Sequence, residues 1–305
     1  MSEVKSNLQK ILEAGHFSVT SEIGPPTSAN AEFVRERARE VAGLVDAANV
    51  TDCQTAIVRM SSIATSVLLQ EEGLEAIVQM TCRDRNRIAI QSDLLGASAL
   101  GLKNMLILSG DHQKFGNHPQ SKNVFDVDSI QLLGALKNQA ENSVFMSGAK
   151  TKMPSQFFLG TTANPFADPE ELQLIRLEKK INAGAAYVQT QAIYNMERFE
   201  RWMEKVRARG LHERAYILAG IVVNKSQRSI EMTSIVPGMD IPEALIERMR
   251  AAEDKQAEGV AIALELIKQI QQIEGVSGLH IMAINWEEIV PTLLEKAGLL
   301  PRPKV

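Results

Sequence analysis

Two carboxylates in this chain stand where chemistry is done. Glu22, in "SEIGPP", and Asp111, in "LKNMLILSGD", each close a short apolar run that has the make-up of a buried strand. Capping does not explain either. The helical pattern after Asp111 begins only near 126–129, and Glu22 precedes "GPP", whose prolines hold an extended turn with no helix to cap. Burial raises a carboxyl pKa while nearby donors lower it, so two acids in a partly apolar mouth can divide the work, one donating a proton while the other stays anionic. Other runs also end on polar side chains: Thr51 and Asp52, Thr81, Ser109, Thr161, Thr162 and Asn164, then Gln189 and Gln191. Any single ending is what a strand shows where it meets a loop. Their succession points to one shared site.

Other side chains carry less. Of the five histidines, only His112 and His118 fall in a strand-end loop, at no metal-ligand spacing, which reads as a solvated loop. His16, His212 and His280 fall outside such loops. Lys225, in "GIVVNKSQ", supports a second reading as the Schiff-base lysine of a barrel aldolase, although it lies several residues past its strand among polar neighbours. Arg176, Lys179 and Lys180 end a helix, where cations suit the dipole; a phosphate crossing the rim is the other use for them.

These groups need a frame. Eight β-branched or apolar runs, at 17–23, 45–51, 75–81, 104–110, 156–162, 186–191, 215–220 and 278–284, alternate with amphipathic segments. The latter include 31–44, 85–100, 129–141, 170–183, 196–209 and 255–273. Eight strand–helix pairs in this length predict an α/β protein, a single-domain (β/α)8 TIM barrel over residues 1–305, whose active groups project from the carboxyl ends of the strands. The open doubly wound sheet would place GxGxxG after its first strand, where this chain has "GPPTSAN". An N-terminal helix carrying Leu8, Ile11 and Leu12 is expected to plug the lower end, and Pro242 to open an extra helix in the seventh connection.

Composition excludes several classes. A chain of 305 residues that is 45% apolar fills a large core, and its two cysteines, Cys53 and Cys82, form no disulfide framework or metal cage. A net charge of -4 spread over mixed-sign segments gives no nucleic-acid footprint. The sequence lacks a signal-peptide core and a membrane-length apolar run, so a cytoplasmic protein is expected.

In order along the chain, "SEIGPP", "NVTD", "MTCRDRN", "LGLKNMLILSGD", "KKINAGAAYVQTQAIYN" and "EGVSGLHIMAIN" resemble the methylenetetrahydrofolate reductase family over nearly the whole length. The resemblance implies a (β/α)8 barrel with a noncovalent flavin, usually FAD and alternatively FMN, that reduces 5,10-methylenetetrahydrofolate to 5-methyltetrahydrofolate by hydride transfer. It assigns Glu22 as the general acid that opens the folate ring, Asp111 to the flavin and pterin, and Gln191 to the folate. Thr51, Gln79, Thr81, Ser109, Gly110, Thr162 and Asn164 match flavin-lining positions, and Asp168, Lys179 and Lys180 match positions near its ribose and phosphates. The chain departs from the family at three places. Gln79 stands for a common histidine, Gln227 or its neighbour for a phenylalanine that helps hold NADH, and Trp286 for an arginine towards the folate tail, where stacking would replace a salt bridge. NAD(P)H as direct donor is weakened accordingly. The resemblance is nearest to short acetogen-type forms that work with a zinc- and iron-sulfur-bearing subunit, which implies an oligomer receiving electrons through that partner. A noncatalytic flavin- or folate-binding subunit is the third reading.

Overall fold

The computed structural model describes residues 5–236 and 238–305. Eight parallel strands close into a barrel in sequence order, β1(Ser18–Ile23), β2(Ala47–Val50), β3(Ala76–Thr81), β4(Asn104–Leu108), β5(Phe158–Ala163), β6(Tyr187–Ala192), β7(Tyr216–Val222) and β8(Val276–Met282). The expected barrel is the observed one. The connecting helices are α2(Ala31–Val41), α3(Ser62–Glu71), α4(Arg87–Ala99), α5(Ser129–Asn142), α6(Glu170–Asn182) and α7(Met196–Ala208). The seventh connection holds α8(Gln227–Ser234), α9(Glu243–Ala251) and α10(Lys255–Ile270), and α11(Val290–Lys296) follows β8. Pro242 is the N-cap of α9, one residue before the expected first turn.

Local chemistry sets the boundaries. Asp128 caps α5 through a full capping box with Gln131, and the helix after β4 thus starts 18 residues beyond Asp111, across a long loop. Asn86 and Asp254 accept backbone N–H groups at the starts of α4 and α10.

Inside the barrel the side chains form layers. At the amino-terminal end Ala47, Ile77, Leu106, Phe158, Tyr187 and Leu218 close around Leu8 and Leu12 of α1(Asn7–Glu13). The Glu75 carboxylate accepts the Asn7 and Leu8 N–H groups at 2.7 and 3.0 Å, which fixes the plug. Beside it, Arg302 from the chain's last residues donates to both oxygens of buried Asp46, and Asp46 accepts the Val19 N–H at 2.7 Å. With the lower end filled and clasped, the carboxyl end is the open one.

Candidate active site

The strands open at their carboxyl ends onto a cavity of about 610 Å³, ample for a cofactor and part of a substrate. Glu22 enters its wall from β1, Thr51 from the end of β2, Gln79 and Thr81 from β3, and Ser109, Gly110 and Asp111 from the exit of β4. Thr162 and Asn164 come from β5 and its exit, Lys180 from α6, and Gln191 from β6. The barrel thus brings together most of the candidates read from the sequence. Asp168 and Lys179 are exposed and do not line this wall. Neither does Gln227, whose Nε2 donates to Glu231 at 2.8 Å within α8. Trp286 is only 6% exposed: a turn closed by its own N–H to the Ala283 carbonyl at 2.9 Å carries the indole into the core, off the wall. Lys225 also lies off the wall, its Nζ donating to the Asn285 carbonyl at 2.8 Å.

Below Glu22 lies a polar layer that strand ends alone do not reveal. Asn49 and Gln189 exchange amide hydrogen bonds at 2.6 and 3.0 Å, and Gln189 Nε2 also donates to Thr20 Oγ1 at 3.3 Å. Thr20 Oγ1 lies 3.1 Å from His280 Nδ1, and His280 Nε2 faces Glu22 Oε2 at 3.7 Å. All four supporting side chains are buried, where an unpaired polar group would cost about 1–3 kcal/mol, so the network holds the imidazole edge towards Glu22. Gln189 and His280 lie in the middle of β6 and β8, and only the closed barrel brings them together with Thr20 and Asn49.

The second carboxylate is held differently. Asp111 Oδ2 accepts the Thr55 N–H at 3.0 Å, from a loop in which Cys53, Thr55 and Ala56 all have left-handed φ, at 46°, 57° and 56°. Such conformations cost roughly 1 kcal/mol or more apiece in non-glycine residues and persist where surroundings enforce them. Gly110, at φ 87°, lets the chain turn against β3, since a Cβ there would meet the Thr81 side chain at 3.0 Å. Asp52, although on the same wall, is neutralised: both its oxygens take Arg85 (2.7 and 3.2 Å) and Oδ2 also takes the Thr81 N–H and hydroxyl.

Cations gather on the α6 side. Lys180 donates to the Thr162 carbonyl at 2.7 Å, and burial, helped by the neighbouring Arg176, lowers its ammonium to about 8. Arg176 lines the same wall. Buried Thr51 Oγ1 has no protein partner. Among the described residues, no group of three or more His, Cys, Asp or Glu side chains is placed to hold a metal ion. The donors therefore suit a polar ring with an anionic tail, lying between two carboxylates and two cations.

The family model for methylenetetrahydrofolate reductase matches residues 7–298. Methylenetetrahydrofolate reductase 1 of Schizosaccharomyces pombe is 23% identical over 243 residues, covering 77% of this chain and 38% of that protein. The 5,10-methylenetetrahydrofolate reductase of Pectobacterium carotovorum is 22% identical over 240 residues, 76% of this chain and 72% of that protein. The chain thus spans about two fifths of the fungal relative's length and most of the bacterial one's. A solved structure described as an uncharacterized protein from Clostridium thermocellum that binds two copies of 5-methyl-5,6,7,8-tetrahydrofolic acid superposes with a TM-score of 0.67 at 17% identity, covering 95% of this chain and 98% of that one.

Proposed function

Because the chain belongs to the methylenetetrahydrofolate reductase family, we propose that it reduces 5,10-methylenetetrahydrofolate to 5-methyltetrahydrofolate in the cytoplasm, with a noncovalent flavin, FAD before FMN, in the 610 Å³ cavity. The observation that carries this reading is the presence of Glu22 and Asp111 on one wall, together with Gln191 and the Lys180 and Arg176 cations. A folate-binding protein of the same fold adds support for the substrate class. The donor set fits the cofactor: the unpartnered Thr51 hydroxyl and the Gly110 turn offer contacts to a ring, and Lys180 and Arg176 offer charge to its phosphates. When bound and reduced, the flavin supplies the hydride.

The chain's own residues supply the rest. Methylenetetrahydrofolate must first open its five-membered ring, which requires a proton at N10 and leaves a cationic iminium at N5. Glu22, which faces His280 Nε2 at 3.7 Å inside the barrel, is the group placed to deliver that proton. Asp111, whose carboxylate accepts the Thr55 N–H, is placed to stabilise the positive charge as it develops. Gln191 offers an amide to the pterin edge. Leu106, Leu108 and Met282 make up part of the cavity's apolar wall.

Gln227 lies off the cavity wall, and delivery of electrons through a second, zinc- and iron-sulfur-bearing subunit is part of the proposal. Co-purification with iron analysis tests that part. For the main reading, the purified protein is expected to show a flavin absorbance spectrum, with FAD identified by mass after release, and to bleach under an artificial donor and recover on adding methylenetetrahydrofolate. A protein that neither retains nor takes up flavin contradicts it. A folate-binding subunit without chemistry is distinguished by folate binding with no recovery of absorbance.

A further inference from the structure

The motif "MTCRDRN" at the end of β3 contains a charge that the reaction does not use. Arg83 is 2% exposed, one of the largest fully buried side chains in the molecule. Asp84 orients it, accepting from Nε at 2.8 Å and from Nη2 at 2.6 Å. The outer nitrogens then reach two neighbouring strand exits: Nη1 donates to the Asp111 carbonyl at 3.0 Å and Nη2 to the Cys53 carbonyl at 3.2 Å. These are the two segments that meet through the Thr55 N–H and the Asp111 carboxylate. One of them is the loop with three left-handed residues. Its neighbour is pressed close as well, since a Cβ on Gly116 would lie 1.8 Å from the Ala56 carbonyl oxygen.

We infer that Arg83 is a positioning residue for Asp111, bridging the exits of β2 and β4 so that the strained loop presents the Thr55 N–H to the carboxylate. A planar guanidinium can serve two carbonyls and a carboxylate in one plane, which an ammonium cannot. Without the bridge, the loop at 53–56 relaxes towards ordinary φ values, the Thr55 N–H turns away and the carboxylate loses its fixed direction. The inference deepens the role given above to Asp111 and rests on it.

Two measurements on Arg83→Met, Arg83→Lys, Asp111→Asn and the Arg83→Met/Asp111→Asn pair test it. The first is amide hydrogen exchange at Thr55 in the flavin-free chain. Arg83→Met is expected to speed that exchange about 10-fold, close to the effect of Asp111→Asn, with Arg83→Lys in between. The second is the rate at which methylenetetrahydrofolate reoxidises the reduced flavoprotein. Arg83→Met is expected to slow it roughly 10- to 100-fold, as displaced catalytic groups do, and to slow the Asp111→Asn protein by less than about 3-fold further. Unchanged Thr55 exchange in both Arg83 variants overturns the inference even where Asp111→Asn is impaired, and so do losses that multiply in the double variant. An Asp111→Asn protein that reacts at the parental rate overturns the function given to Asp111 instead, and faster Thr55 exchange in Arg83→Met then marks the bridge as structural only. Arg83→Lys keeps the test open if the methionine variant does not fold.

Discussion

Glu22 and Asp111 are the same kind of group with different neighbours, and the tasks proposed for them differ accordingly. Glu22 faces an imidazole inside a polar layer, and Asp111 faces a backbone N–H at the mouth. Lys180 shows the same control by surroundings. Its ammonium, ordinarily near 10.5, titrates near 8 in the fold because burial and Arg176 penalise the charge. Between pH 8 and 10.5 the unfolded chain holds this proton and the folded chain does not, so the flavin-free protein gains stability as pH rises through that window, and below 8 it carries the cost of the buried charge. A diphosphate should restore the proton. Binding of ADP at about pH 9 is therefore expected to take up protons, seen as a calorimetric enthalpy that depends on the buffer's ionisation heat, and Lys180→Met should remove the dependence. Equal buffer dependence in both proteins would exclude Lys180 from the phosphate site.

At the scale of elements, the interlock of the β2 and β4 exits is the feature most open to test. Gly116→Ala forces a Cβ into the Ala56 backbone, which cannot yield as a flexible side chain would. A loss of roughly 1–3 kcal/mol in urea unfolding is expected, as for other overpacked sites, together with slower folate reduction; a neutral variant would mean that the two loops part freely. The strands and most of the helices could be read from periodicity because that signal is local. Helices α3, α8 and α11 lay outside the segments so read: the Ser and Thr residues of α3 blur its apolar face, and α8 and α11 run for only about two turns. The polar layer was hidden for another reason. Barrel shear staggers the strands, so Thr20 pairs with His280 and Glu22 with Asn49 across neighbours that no sequence window spans. His280, mid-strand, gave no sign at a strand end. Trp286 and Gln227 were read by correspondence, and only the turn after β8 and the start of α8 decide where they go.

The whole molecule separates stability from chemistry by its two ends. At the closed end, the Arg302 and Asp46 side chains are 8% and 1% exposed, and losing one partner leaves a buried charge unpaired. Arg302→Met is expected to cost about 3–5 kcal/mol in urea unfolding while folate reduction at 25 °C stays near parental, because the reacting groups stand at the other end; a large fall in turnover with intact stability would contradict that division. At the open end, the closed barrel brings the first and fourth strands, far apart in sequence, to one cavity. The direct measurement of that claim is rapid mixing of reduced Glu22→Gln flavoprotein with methylenetetrahydrofolate. The account predicts retained flavin, normal reduction by an artificial donor, and reoxidation slowed at least about 100-fold, the lower range for a lost general acid. Reoxidation at the parental rate would contradict it.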